Sequence, residues 1–98
     1  MYDKINKVLK KINDNFGGGK IILDEEYFSE FKDYVRVVYN TEEYLKKGQI
    51  SNSLLGDLPL ILPKSNDLIY ELIDSNCDLE KYTFTELLEI GVIVECDI

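Results

Sequence analysis

Gly17-Gly18-Gly19-Lys20 is the first group in this chain with the makings of chemistry, because a glycine-rich turn ahead of a lysine can cradle phosphate. The phosphate-loop pattern needs a glycine five positions before the last one, where Asp14 stands, and Ser or Thr after the lysine, where Ile21 stands. A helix runs into these glycines, whereas phosphate loops lead into helix N-termini. The group therefore reads as a helix stop and a turn. Asp74, Asn76 and Asp78 have the first three ligand spacings of a calcium loop. Its sixth position should be Gly and is Leu79; its twelfth should be Glu and is Thr85, so a turn between two helices is the reading. The chain has no His, which removes Ser–His and Cys–His nucleophilic pairs. Zinc would be left with Cys77, Cys96 and carboxylates, in no recognised spacing. Carboxylate pairs of the glycosidase kind are present, but 19 acids in 98 residues supply them by chance. No catalytic residue, metal ligand or cofactor is expected, and the chain reads as non-enzymatic.

The acids say more by where they fall. Residues 65–98 hold nine (Asp67, Glu71, Asp74, Asp78, Glu80, Glu86, Glu89, Glu95 and Asp97) against one lysine, Lys81. Residues 1–20 run the other way, with Lys4, Lys7, Lys10, Lys11 and Lys20 against Asp3 and Asp14. A net charge of −8 repels nucleic acid and anionic lipid and steers the protein toward basic surfaces. The lysines of the first segment are the polar side of an amphipathic helix, with no arginine or aromatic base reader among them. Tyr70 and Tyr82 flank Glu71, Asp74, Asp78 and Glu80. Tyrosine is favoured at interfaces because it buries a large rigid ring and keeps a polar tip. These six are the expected partner-binding residues, with the tyrosines as anchors. Tyr27, Tyr39 and Tyr44 accompany a second group of acids (Asp24, Glu25, Glu26, Glu42 and Glu43), and Tyr34 reads as core.

Short elements must position these groups. Ile5, Val8, Leu9, Ile12 and Phe16 recur at helical spacing behind Asp3 as N-cap, and the glycines end that helix. Residues 20–23 read as a short strand. Asp24 caps a second helix whose apolar side chains run to about residue 39, although 34–39 is aromatic and β-branched and could be a strand. Residues 41–48 have the cap, charge order and terminal Gly of one or two helical turns, and 49–57 are loop-like. The run 58–63, bracketed by Pro59 and Pro63, suits a strand near a sheet edge or an extended buried segment. Ser65-Asn66-Asp67 caps a helix carrying Leu68, Ile69, Leu72 and Ile73, which Asn76-Cys77-Asp78 breaks. Thr83 and Glu86 have capping-box spacing ahead of a helix that Gly91 closes, and 92–98 is the clearest strand. The expected fold is α+β, with four to five short helices and a small sheet of two or three strands, in one acidic domain over 1–98.

The N-terminus lacks the apolar core of a signal peptide, and no apolar stretch is long enough to span a membrane. The cysteines read as reduced thiols, and the expected address is the cytosol. In size, acidity and lack of catalytic groups the chain resembles bacterial toxin-immunity proteins. That resemblance implies a monomeric, non-catalytic inhibitor that covers the positive active-site cleft of a basic partner, a nuclease toxin. In that mechanism carboxylates take the places of phosphates, and no nucleic acid or membrane is bound. Phage-type inhibitors of host defence nucleases, acting as nucleic-acid mimics, share the profile and are one alternative. An adaptor subunit docking through its first helix or the edge strand 92–98 is another.

Overall fold

The first helix forms where the apolar spacing puts it. Helix α1 spans Tyr2–Asn15, with Ile5, Val8 and Ile12 buried on one stripe and Lys7, Lys10 and Lys11 exposed. It is already helical at Tyr2, two residues ahead of Lys4 where a cap at Asp3 would start it, so Asp3 lies in the first turn, where its charge still suits the positive end of the helix dipole. The structure, a computed structural model, describes residues 2–15, 20–47 and 59–96. The expected glycine stop at 17–19, the loop at 49–57 and the last residues of the terminal strand lie outside the described residues.

Residues 24–39 form strands where a helix was expected. Asp24 does cap, its carboxylate accepting the Glu26 N–H at 3.2 Å, but only one 3-10 turn, Glu25–Tyr27, follows. Around it lie β1 (Ile21–Leu23), β2 (Ser29–Glu30), β3 (Tyr34–Val37) and β4 (Tyr39–Thr41). Leu23 pairs with Tyr39 and Ser29 with Arg36, so residues 24–28 on one side face 37–38 on the other. The 3-10 turn is thus an enlarged bulge in one antiparallel hairpin, and Asp24 N–H keeps the ladder going to the Val38 carbonyl at 2.8 Å. The alternation won because Tyr34 is buried on one side of the strand and Val35 and Val37 on the other. A strand buried on both faces has no polar stripe, so its period is easily mistaken for a helical one.

Helix α2 (Glu42–Lys47) follows as expected, with Thr41 Oγ1 accepting the Tyr44 N–H at 3.2 Å. Strand β5 (Leu60–Pro63) is not near an edge: it lies third in the five-stranded order β2-β3-β5-β6-β7, and all four of its residues are buried. The prolines bracket the ladder without breaking it, and the Pro59 carbonyl accepts the Leu72 N–H at 2.9 Å. The helix expected after Asp67 is also a strand, β6 (Tyr70–Leu72). Leu68 and Ile73, counted there toward one helical face, are 44% and 49% exposed, while Ile69, Tyr70 and Leu72 are buried. Helix α3 (Phe84–Ile90) carries the expected capping box and ends at Gly91 with φ of 77°. Strand β7 (Ile93–Glu95) then closes the sheet at its edge.

Among the described residues the fold has three α-helices and seven strands in two antiparallel sheets, one of five strands. This replaces the expected four to five helices with two or three strands. The larger sheet is covered on both faces. Ile5, Val8 and Ile12 of α1 pack with Val35, Val37, Leu60, Leu62 and Ile69. Phe84 and Leu87 of α3 pack on the other side with Tyr34, Ile61, Tyr70, Leu72 and Ile93.

Candidate partner-binding site

The connection from β6 to α3, residues 73–83, carries a run of exposed acids. Asp74 Oδ1 accepts the Asn76 N–H at 3.0 Å, and Asp78 Oδ1 accepts the Glu80 N–H at 3.2 Å, so each aspartate folds the turn that follows it. Asp78 also caps a 3-10 turn, Leu79–Lys81. Its second oxygen lies 3.8 Å from Lys81 Nζ, a loose and exposed pairing of little energetic weight.

The connection is fastened to the sheet beneath it. The Tyr34 hydroxyl donates to the Leu79 carbonyl at 2.7 Å, with the Tyr82 carbonyl 3.3 Å away. Asp33 Oδ2 accepts the Phe84 N–H at 3.1 Å. The Phe31 ring stacks on Tyr34 with centroids 4.8 Å apart, and Tyr70 meets Phe84 edge-on at 5.0 Å. Burial, helped by Asp33 and then Cys77, pushes the Tyr34 hydroxyl up to about 12, so it stays protonated and donating. Burial also raises the Cys77 thiol, with Asp74 and Asp78 adding to the effect. A thiol so placed is a poor nucleophile, and its chemistry does not define the site.

Of the six residues expected to meet a partner, Asp74, Asp78, Glu80 and Tyr82 come together on this connection. Tyr70 is only 8% exposed, and its ring lies in the core against Phe84. Glu71 is half-buried and, by its register with Leu60 and Val94, points to the α1 face of the sheet. Glu80 and Tyr82 also border a depression of about 240 Å³, together with Phe31, Lys32, Asp33, Lys81 and Glu86. Sequence reasoning missed Phe31 and Asp33, because both fell inside the expected second helix. Only the pairing of β3 with β5 and the reach of Tyr34 bring that turn to residues 79–84. Glu86 was recognised as a capping residue, and its Oε1 does accept the Thr83 N–H at 3.0 Å.

The basic helix has a different character. Lys4 Nζ donates to the Pro63 carbonyl at 2.7 Å and also to the Asn66 carbonyl, which ties α1 to the bend after β5. Burial lowers its ammonium, with Asp67 opposing that shift. Lys4, Lys7, Lys11 and Asp67 line a depression of about 210 Å³, but the committed donors of Lys4 and the charge of Asp67 suit an anion poorly. Cys77 and Cys96 form no disulfide and pack against the clusters on opposite faces of the sheet, a placement that keeps them apart. Among the described residues no group of three or more His, Cys, Asp or Glu side chains could hold a metal ion, and no helix is long and apolar enough to cross a membrane.

No protein-family model, curated protein or solved structure matches the chain. The functional reading therefore rests on the residues themselves.

Proposed function

We propose that the protein is a non-catalytic inhibitor of the immunity type, which binds a basic partner protein, a nuclease toxin, and covers its positively charged active-site cleft. One observation carries this reading: Asp74, Asp78 and Glu80 project from a connection that Tyr34 and Asp33 hold to the sheet, beside the half-buried ring of Tyr82. Carboxylates fixed in this way can meet arginines and lysines that otherwise grip phosphates, and a tyrosine ring can pack where a base or sugar would lie. Because the turns are already formed, little ordering entropy is lost on binding. Asp78 can exchange its loose partner Lys81 for a cation of the target. The net charge of −8 speeds encounter with a basic surface. In this reading Tyr70 serves the site by supporting Phe84, and Glu71 adds to the field from the other face. The protein acts as a monomer in the cytoplasm and binds neither nucleic acid nor membrane.

The test replaces Asp74 and Asp78 together by Asn, which keeps the oxygen that folds each turn and removes both charges. The partner is isolated on the wild-type protein at low salt, and its nuclease activity is assayed with each form. Inhibition by the wild type and about tenfold weaker inhibition by the double variant is the expected result. Equal inhibition by both forms would overturn the assignment. A host defence nuclease recovered in place of a toxin would favour the phage-type inhibitor, which uses the same surface.

A further inference from the structure

The depression between the turn at 31–33 and the connection at 79–83 is lined by two kinds of surface. Its covered lining is aromatic and aliphatic: Tyr34 and Leu79 are buried, and Phe31 and Tyr82 are half-buried. Its open lining is charged: Lys32, Glu80, Lys81 and Glu86 are exposed, and Asp33 is half-buried. The aromatic part is already formed. Phe31 is stacked on Tyr34 at 4.8 Å, and the Tyr34 hydroxyl is committed to the Leu79 carbonyl at 2.7 Å, so little ordering is left for a ligand to induce. At about 240 Å³ the space is smaller than the roughly 300–1,000 Å³ of small-molecule sites, and it suits one long side chain.

Charge and shape together choose that side chain. Three carboxylates stand on the rim against two lysines, and Lys81 is already drawn toward Asp78 at 3.8 Å. The Glu80 carboxylate has no hydrogen bond or ion pair among the described residues, because its turn is held through its backbone N–H. Asp33 and Glu86 each spend one oxygen, on the Phe84 and Thr83 N–H groups, and keep the other. An anion would meet these carboxylates, and an apolar side chain would use the rings alone. Lysine would bring the charge, but its compact ammonium is strongly hydrated and gains less from a ring. Arginine matches both surfaces: its flat guanidinium lies on an aromatic face while its N–H groups fork toward carboxylate oxygens. We infer that the depression takes an arginine side chain of the partner, packed on Phe31 and Tyr82 and paired with Glu80. This deepens the inhibitor reading and rests on it for the source of the arginine, one that otherwise grips phosphate. The preference for arginine follows from the lining of the depression alone.

The capped peptides acetyl-Gly-Arg-Gly-amide and acetyl-Gly-Lys-Gly-amide carry the same charge, and each is titrated into the full chain and followed by amide chemical shifts. The arginine peptide should shift the Phe31, Glu80 and Tyr82 amides and bind about threefold more tightly than the lysine peptide. Glu80→Gln keeps the backbone bond of its turn and removes the charge, so it should weaken binding of the arginine peptide by about threefold. Tyr82→Leu keeps the carbonyl near Tyr34 and removes the ring, so it should narrow the preference for arginine over lysine. Equal affinities of the two peptides for the wild type would overturn the inference whatever the fate of the variants, as would shifts confined to residues outside the depression. So would binding that Asp74→Asn/Asp78→Asn abolishes and Glu80→Gln leaves intact, since the arginine would then sit on the outer turns. Failure of the inhibitor reading would appear separately, as unchanged nuclease inhibition by the Asp74→Asn/Asp78→Asn protein.

Discussion

Tyr34 is the residue on which the candidate site hangs, because one hydroxyl joins the sheet to the connection above it. Tyr34→Phe keeps the ring stacked on Phe31 and removes the donor, and it should cost about 1–2 kcal/mol by leaving the Leu79 carbonyl unpaired. The contribution is pH-dependent with a definite sign. A tyrosine ionises near 10.0 when unfolded and about 12 here, so the folded state holds the proton more tightly. The stability difference between wild type and Tyr34→Phe should be constant below pH 10 and disappear as pH rises toward 12. Denaturant unfolding of both proteins from pH 7 to 12 measures it, and a difference that persists at high pH would show that the hydroxyl is not the link. The cysteines give a simpler expectation. Since Cys77 and Cys96 lie in clusters on opposite sides of the sheet, the melting temperature should not change when reductant is added.

At the scale of elements, the two helix-to-strand corrections make a prediction that separates the readings. Were 68–73 helical, Leu68, Ile69, Leu72 and Ile73 would form one buried stripe and matter alike. In the strand, Ile69→Ala and Leu72→Ala should each cost about 2–4 kcal/mol, while Leu68→Ala and Ile73→Ala should cost under about 1 kcal/mol. Chemical denaturation of the four variants decides it, and four equal losses would restore the helix. Elements with their own local signals were legible in the sequence: α1 from its lysine and isoleucine spacing, α3 from Thr83, Glu86 and Gly91, and β7 from its β-branched run. The hairpin and β6 were not, because a sheet covered on both faces hides the alternation that marks a strand. Asp24 and Asn66 added to this, since both make the local bonds of a cap, yet one opens a single 3-10 turn and the other a bend. The same effect hid part of the site. Asp74, Asp78, Glu80 and Tyr82 are close in sequence and could be named together, whereas Phe31 and Asp33 join them only through strand pairing.

For the whole molecule, the charge polarity of the sequence becomes a polarity across the sheet. The exposed lysines of α1 lie on one face, and the acidic connection with α3 lies on the other. A basic partner should be drawn to the α3 side and held off the α1 side. Capture should fall steeply with salt, because exposed charges are screened beyond about 8–10 Å at physiological ionic strength. Reversing Lys7 and Lys10 to Glu, which alters the far face, should change affinity by less than about threefold. The most direct measurement is parallel affinity capture from native cell lysate with the wild type and Asp74→Asn/Asp78→Asn, at low and high salt, with mass spectrometry of the eluates. The expected result is a basic nuclease retained by the wild type at low salt, released by high salt and depleted on the double variant. The same proteins on both forms, held equally at high salt, would contradict an acidic inhibitory surface at residues 73–83.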